Sequence, residues 1–202
     1  MKRLAPVLAL ACGWAVPTAA LAEPLPVPSV DFSLKARVQQ GAVMDMAHSG
    51  SRVRVHISGG KMPSAVLGII DMQRGKMLMM LPDIPKTAVE AELPPAYRTA
   101  LPRGEGTPAG QDRVAGNDCT VWKIEKSQDI DTPAFACITP DGIPLRTEVE
   151  NKGKRHLVYE ATALTRGPQN PSLFALPPGT KVMKVPASAS GLMQGLGKFL
   201  NN

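Results

Sequence analysis

Two cysteines, Cys119 and Cys137, strongly restrict the folds that this chain can adopt. Both lie in runs rich in strand-forming residues, 119–125 and 133–139, and the polar residues 127–129 between the runs are typical of a turn. If the two cysteines face each other, the hairpin closes at 127–129. The sequence therefore predicts a β-hairpin tied by a disulfide.

An export signal precedes the domain and supports this disulfide. Residues 1–22 combine a basic start, an apolar run and the small-residue site Ala20-Leu21-Ala22, which predicts cleavage before Glu23. The apolar run is shorter than the about 20 residues that span a bilayer, and no later segment reaches that length. Cys12 lacks the upstream leucine of a lipoprotein signal. We expect a periplasmic protein without a transmembrane segment, and an oxidising compartment favours disulfide pairing.

Charge gives little indication of a nucleic-acid partner. Removal of Lys2 and Arg3 with the signal lowers the formal charge from +6 to +4, and aromatic residues make up only 4% of the chain. The one short basic run, Lys152, Lys154 and Arg155, is typical of a solvated loop. We expect no nucleic-acid binding.

Alternating apolar residues predict an antiparallel sheet after a short leader. Residues 23–30 alternate proline with apolar residues, which is typical of an extended leader, and residues 31–185 form the predicted domain. Its strands are predicted from period-two patterns and from continuous apolar runs bounded by turns. They lie near residues 32–38, 44–48, 52–57, 65–71, 76–81, 119–125, 133–139, 143–150 and 155–164.

Two segments are predicted to depart from the sheet. Prolines and glycines interrupt every pattern in 82–117, which predicts a lid or long crossover with a short helix over 87–92 or 96–101. Apolar residues in 186–202 recur with helical spacing and predict a C-terminal amphipathic helix. The predicted class is mainly β (α+β): an antiparallel sheet with a proline-rich lid and one helix.

Three stretches resemble a known superfamily. Residues 116–119, 137–146 and 171–179 are similar to an uncharacterised bacterial group within the superfamily of LolA, the outer-membrane lipoprotein carrier. The resemblance implies a strongly curved antiparallel sheet, an unclosed β-barrel, whose concave apolar face is covered by helices and can hold acyl chains. The carrier itself lacks this cysteine pair, and its functional arginine matches no residue here. No functional residue is therefore transferred.

The predicted ligand site is a methionine-lined cavity on this concave face. Methionine is flexible and polarisable, so it adapts to apolar ligands of different shapes, although ordinary core filling explains the same residues equally well. For Arg146, a headgroup contact at the cavity mouth competes with an outward arginine packed over its own sheet. The predicted lining residues are Met44, Met46, Val53, Val55, Ile57, Met77, Met79, Trp122 and Phe135.

Metal binding and catalysis are weaker interpretations. Met44, Met46 and His48 alternate along one strand face, and thioether with imidazole would suit Cu(I), so a copper-binding protein is the third functional class. No nucleophile elbow, zinc-protease, phosphate-binding or dinucleotide motif occurs, so we expect no enzyme and no cofactor. The first hypothesis is a periplasmic protein that binds a lipid or other apolar ligand, with an envelope protein as a further candidate partner. The alternative is a structural or interaction module of the cell envelope with a self-filled cavity.

Overall fold

The computed structural model describes residues 21–80, 84–93, 102–125 and 132–184. These residues form thirteen strands and two short 3-10 turns, Gln39–Gly41 and Pro171–Phe174. The strands are β1 (Glu23–Pro24), β2 (Phe32–Val38), β3 (Ala42–Ser49), β4 (Arg52–Gly59), β5 (Val66–Asp71), β6 (Lys76–Met80), β7 (Thr87–Glu92), β8 (Glu105–Val114), β9 (Asn117–Ile124), β10 (Ala134–Ile138), β11 (Pro144–Asn151), β12 (Lys154–Arg166) and β13 (Lys181–Lys184).

All thirteen strands belong to one curved, unclosed sheet. The sequence pattern predicted the antiparallel sheet, and the resemblance implied its curvature. The strand order is β1-β8-β9-β10-β11-β12-β2-β3-β4-β5-β6-β7-β13, and only the last pair, β7 with β13, is parallel. Within the described residues no α-helix covers the sheet, unlike the helical cover that the resemblance implied. None of the described helices is long and apolar enough to cross a membrane.

Strand alternation creates one strongly apolar face, which we call the inner face. In β2 the buried residues are Phe32, Leu34 and Ala36, while the alternate residues Lys35 and Arg37 are exposed. The same alternation continues through the buried methionines of β3 and β6. These residues form one buried cluster with side chains from distant strands, including Ile143, Leu145 and Tyr159. The apolar face therefore carries one continuous core that extends across several neighbouring strands.

Two predictions about the irregular segments are wrong. Residues 87–92, predicted as a short helix, form strand β7, and residues 105–114 of the predicted lid form strand β8. The leader is also part of the sheet, because β1 pairs with β8. The alternative helix over 96–101 and the C-terminal helix over 186–202 lie outside the described residues.

The predicted disulfide is present, but its hairpin has a different register. Cys119 and Cys137 are bonded, with their Cα atoms 5.4 Å apart. Cys137 lies directly opposite Val121, so the two cysteines are diagonal neighbours instead of facing each other. The register is thus displaced by two residues from the predicted one. The predicted turn at 127–129 lies outside the described residues.

An ion pair between Arg166 and Asp141 links the tight turn between β10 and β11 to the end of β12. Arg166 donates to both carboxylate oxygens of Asp141, at 2.6 and 3.1 Å, and Thr139 donates to the same carboxylate at 2.6 Å. Hydrogen bonding from Arg166 lowers the pKa of Asp141 below its ordinary value of 3.8. The pair therefore joins the turn to the end of β12, a strand of thirteen residues.

Asp141→Asn should destabilise the protein in a pH-dependent way. Because the pKa of Asp141 is lower in the folded chain, its contribution is complete above the unfolded value and is lost as pH falls through the folded value. We expect about 1 kcal/mol lower unfolding free energy at pH 7, since the pair is partly exposed. Urea titrations from about pH 7 to about pH 2.5 measure this difference, which should shrink below about pH 4. The matched control is Asp118→Asn, an exposed carboxylate paired at 3.6 Å; equal effects would contradict the assignment.

Candidate functional site

Seven of the nine predicted lining residues share the inner face of β3–β6. Register places them in rows that run across the strands: Met44 is opposite Ile57, Met46 is opposite Val55, and Met77 is opposite Ile70. Side chains at opposed positions of antiparallel strands point to the same face. The seven residues are Met44, Met46, Val53, Val55, Ile57, Met77 and Met79, and all belong to or pack on the main buried cluster.

The side chains of the inner face are fully buried at one end of the strands and only partly buried at the other end. The row at the start of β2, which contains Phe32, His48, Val53, Ile70 and Met77, is at most 5% exposed at every position. We call this the closed end. The ring of Phe32 stacks on His48 with centroids 5.1 Å apart. A ligand has no access to the face through this fully packed row.

The opposite end of the inner face is not fully covered by the described residues. Four aliphatic side chains there are only partly buried, although all pack on the main cluster. Beside them lie the buried thioethers of Met44 and Met79. We call this surface the open end, and its partly buried residues are Val38, Val55, Ile57 and Val66.

The side chains of the inner face can repack at one position, Gly68. Gly68 is buried in the middle row, directly opposite Val55 and Met79. A Cβ at Gly68 would lie 3.8 Å from the Sδ atom of Met77, so the methionine occupies the space beside the glycine. Since methionine has three flexible bonds, a floor packed in this way can adjust its shape at low cost.

The other two predicted lining residues lie elsewhere. Trp122 belongs to a second apolar cluster that includes Leu25 of the leader. Phe135 lies opposite Lys123 on β9 and Glu148 on β11, so its cross-strand partner on β9 is the residue next to Trp122. The guanidinium of Arg155 lies 3.4 Å above the Phe135 ring. Strand alternation places Trp122 and Phe135 on opposite faces, so the prediction that both line one cavity is wrong for Phe135.

Arg146 is held by carboxylates of neighbouring strands. Its guanidinium lies 2.6 Å from Asp112 and 3.6 Å from Glu160, and Glu160 also pairs with Arg37 at 2.7 Å. Hydrogen bonding from Arg146 lowers the pKa of Asp112. The interpretation of an outward arginine packed over its sheet therefore fits better than a headgroup contact.

The three residues of the copper hypothesis do not converge. Met44 and His48 are four residues apart on β3, which separates their Cα atoms by about 13 Å. The His48 ring is engaged with Phe32. Among the described residues, no group of three or more His, Cys, Asp or Glu side chains could hold a metal ion.

A segment that we call the strap, residues 167–180, crosses the opposite, outer face of the sheet. Phe174 is buried and lines a pocket on this face with Ile69 and Leu78. A groove of about 330 Å³ lies between the strap and strands β2, β3, β4 and β12. Its lining includes charged and polar residues as well as the apolar Leu173, so it is less suited to an acyl chain than the inner face.

Comparisons with known proteins show likeness in fold only. No protein-family model matches the chain, and no curated protein is similar to it. An uncharacterized conserved protein from Thermus thermophilus has a TM-score of 0.53 at 12% identity, over 78% of this chain and 91% of that chain. PNGF-II has a TM-score of 0.51 at 12% identity, and the match covers 82% of this chain but 33% of PNGF-II.

A more distant match is the MucA/MucB complex of Pseudomonas aeruginosa. Its TM-score is 0.48 at 16% identity, over 78% of this chain and 59% of that chain. Since no family model matches, the resemblance to the lipoprotein-carrier superfamily stays a prediction.

Proposed function

We propose that this protein is an exported, non-catalytic binding module of the cell envelope that holds a lipid acyl chain or similar apolar ligand at the open end of its inner face. The observation that carries the proposal is the graded burial. One end of the apolar face is sealed, whereas Val38, Ile57 and Val66 at the other end are partly exposed. An extended apolar patch on a folded domain commonly marks a binding surface.

The proposed mechanism is burial of hydrocarbon over a deformable floor. Each CH₂ group removed from water contributes about 0.8 kcal/mol, so affinity should rise with chain length. Met44 and Met79 lie buried beside the open end and would repack around ligands of different shape. The sealed row at Phe32 would set the depth that an acyl chain can reach.

A second candidate is an interaction module whose inner face is filled by its own chain. This is favoured by the leader, whose buried Leu25 packs on Trp122 and its neighbours. The disulfide is consistent with either candidate in an oxidising compartment. The two candidates differ in whether the open end takes up an external ligand.

Ile57→Asp tests the proposed ligand site. We expect at least about a tenfold loss of affinity for a fluorescent long-chain fatty acid, because a carboxylate would be placed beside the buried hydrocarbon. The matched control is Val43→Asp on the neighbouring strand, since Val43 faces outward and is 48% exposed. Equal affinities for the two variants, with both folded by circular dichroism, would contradict a ligand at the open end.

A further inference from the structure

The leader, residues 23–30, lies against the same face of the sheet as the inner cluster. A row of cross-strand pairs runs from β9 to the end of β2. In this row Trp122 lies opposite Ala136, Ala136 opposite Thr147, Thr147 opposite Tyr159, and Tyr159 opposite Val38. Trp122 therefore points to the inner side of the sheet. Leu25 is 5% exposed and packs in one cluster with Trp122, Ile124, Ala134, Ala136 and Ile138. The leader thus occupies a groove on this face, which we call the leader groove.

Two glycines allow the leader to approach the sheet closely. A Cβ at Gly106 would lie 2.8 Å from Cδ2 of Leu25 and 3.1 Å from the Lys123 carbonyl oxygen, although the backbone of Gly106 is not in the left-handed region. A Cβ at Gly142 would lie 2.0 Å from the Val27 carbonyl oxygen. The glycine at 106 is therefore explained by the close approach of the Leu25 side chain and the Lys123 carbonyl oxygen, and not by backbone conformation. The groove is shaped for an extended peptide.

Few main-chain hydrogen bonds hold the leader in this groove. Beyond the two-residue strand β1, the backbone bonds within the described residues are Leu25 N–H to Gly104 O at 2.8 Å and Ser29 N–H to Asp141 O at 3.1 Å. Pro24, Pro26 and Pro28 have no N–H group to donate. Such a segment can leave the groove without breaking a long strand ladder.

The leader also leaves polar atoms of the groove unsatisfied. Among the described residues, His48 Nδ1 and Trp122 Nε1 are two of three buried side-chain polar atoms without a hydrogen-bond partner. Trp122 packs with Leu25, and His48 lines a cavity of about 10 Å³ together with Pro26 and Pro28. An unpaired buried polar group costs about 1–3 kcal/mol. His48 also makes a hydrogen bond to the backbone of Val30, so the leader fits the groove in shape and satisfies part of its hydrogen bonding but leaves Nδ1 of His48 and Nε1 of Trp122 unpaired.

We propose that the leader groove is a peptide-binding site, in which the leader is a displaceable internal occupant and the partner is an extended apolar segment of another protein. Such a segment would bury a leucine-like side chain on Trp122. A non-prolyl N–H group beside His48 and a carbonyl beside Trp122 would supply the two missing hydrogen bonds. This surface and ligand class are distinct from the open end and its apolar ligand.

The test uses the fluorescence of Trp122. The chain has two tryptophans, and cleavage of the predicted signal removes Trp14, so Trp122 reports alone. In the mature chain carrying Leu25→Asp, the leader should undock because a carboxylate cannot enter the apolar cluster. Titration with a synthetic peptide of residues 23–30 should then restore the emission maximum of Trp122 in a saturable way. This would show that the groove accepts a peptide in trans.

Matched controls determine whether binding uses the leader groove. The same peptide carrying Leu25→Ala should bind at least about tenfold more weakly. A second substitution, Gly106→Val in the Leu25→Asp chain, should abolish binding because the side chain fills the position of Leu25 Cδ2. A doubled mass in size-exclusion chromatography of the unmodified chain, abolished by Leu25→Asp, would identify exchanged leaders between two copies and also support a displaceable occupant.

Two outcomes would overturn the proposal. One is a folded Leu25→Asp chain whose Trp122 emission does not respond to millimolar peptide. The other is failure to fold of both Leu25→Asp and the milder Leu25→Ala chain, since the leader would then be an obligatory part of the core. Neither outcome depends on binding of fatty acid at the open end, so the two proposals are tested separately.

Discussion

Replacement of both Cys119 and Cys137 by alanine is expected to lower the free energy of unfolding by about 3 kcal/mol. The disulfide joins residues 18 positions apart and so constrains the unfolded chain, which is the main source of this stabilisation in the chain-entropy model. The loss should be larger than for any surface substitution because both cysteines are buried. Guanidinium titration of the oxidised protein and the double variant measures the difference.

The reductant response is the control for this prediction. Dithiothreitol should destabilise the unmodified protein to nearly the level of the double variant and should leave the variant unchanged. A double variant within about 0.5 kcal/mol of the oxidised protein, the range of ordinary surface substitutions, would show that the disulfide contributes little. The covalent link would then not explain how the strands β9 and β10 are held.

Phe32→Ala should have an effect of similar or greater size, about 3–5 kcal/mol. The side chain of Phe32 is fully buried in the sealed row of the inner face and stacks on His48. Its removal leaves a cavity that neighbours on packed strands cannot fill without moving. Thermal or urea unfolding monitored by circular dichroism measures the loss.

Val43→Ala is the matched control, since Val43 belongs to the adjacent strand β3 but faces solvent. We expect less than about 0.5 kcal/mol for this change. If Phe32→Ala costs no more than Val43→Ala, the sealed end is not a packed core, and the graded burial of the inner face would lose its physical basis.

Local patterning was sufficient to predict most of the sheet. The alternation of Phe32, Leu34 and Ala36 with polar residues depends only on neighbouring positions, and the observed β2 has the predicted bounds. The shared face of Met44, Met46, Val55 and Ile57 follows from the same alternation once β3 and β4 pair. One face is strongly buried, so a slipped register would expose its methionines.

The predictions failed in regions whose structure is determined by pairing with segments distant in sequence. Residues 87–92 contain alanine and glutamate, which favour helix, but pairing with β6 and β13 makes them a strand. The docking of Leu25 depends on Gly106, which is distant in sequence, and no local pattern of the leader indicates it. Phe135 could have been excluded from the cavity, because alternation already places it on the face opposite Trp122.

Native mass spectrometry of protein purified without detergent from the cells that produce it measures whether a ligand occupies the open end of the inner face. We expect a lipid-sized adduct that organic solvent releases and that is depleted in the Ile57→Asp variant but retained in Val43→Asp. An unliganded mass for the unmodified protein, together with no uptake of added fatty acid, would contradict this expectation.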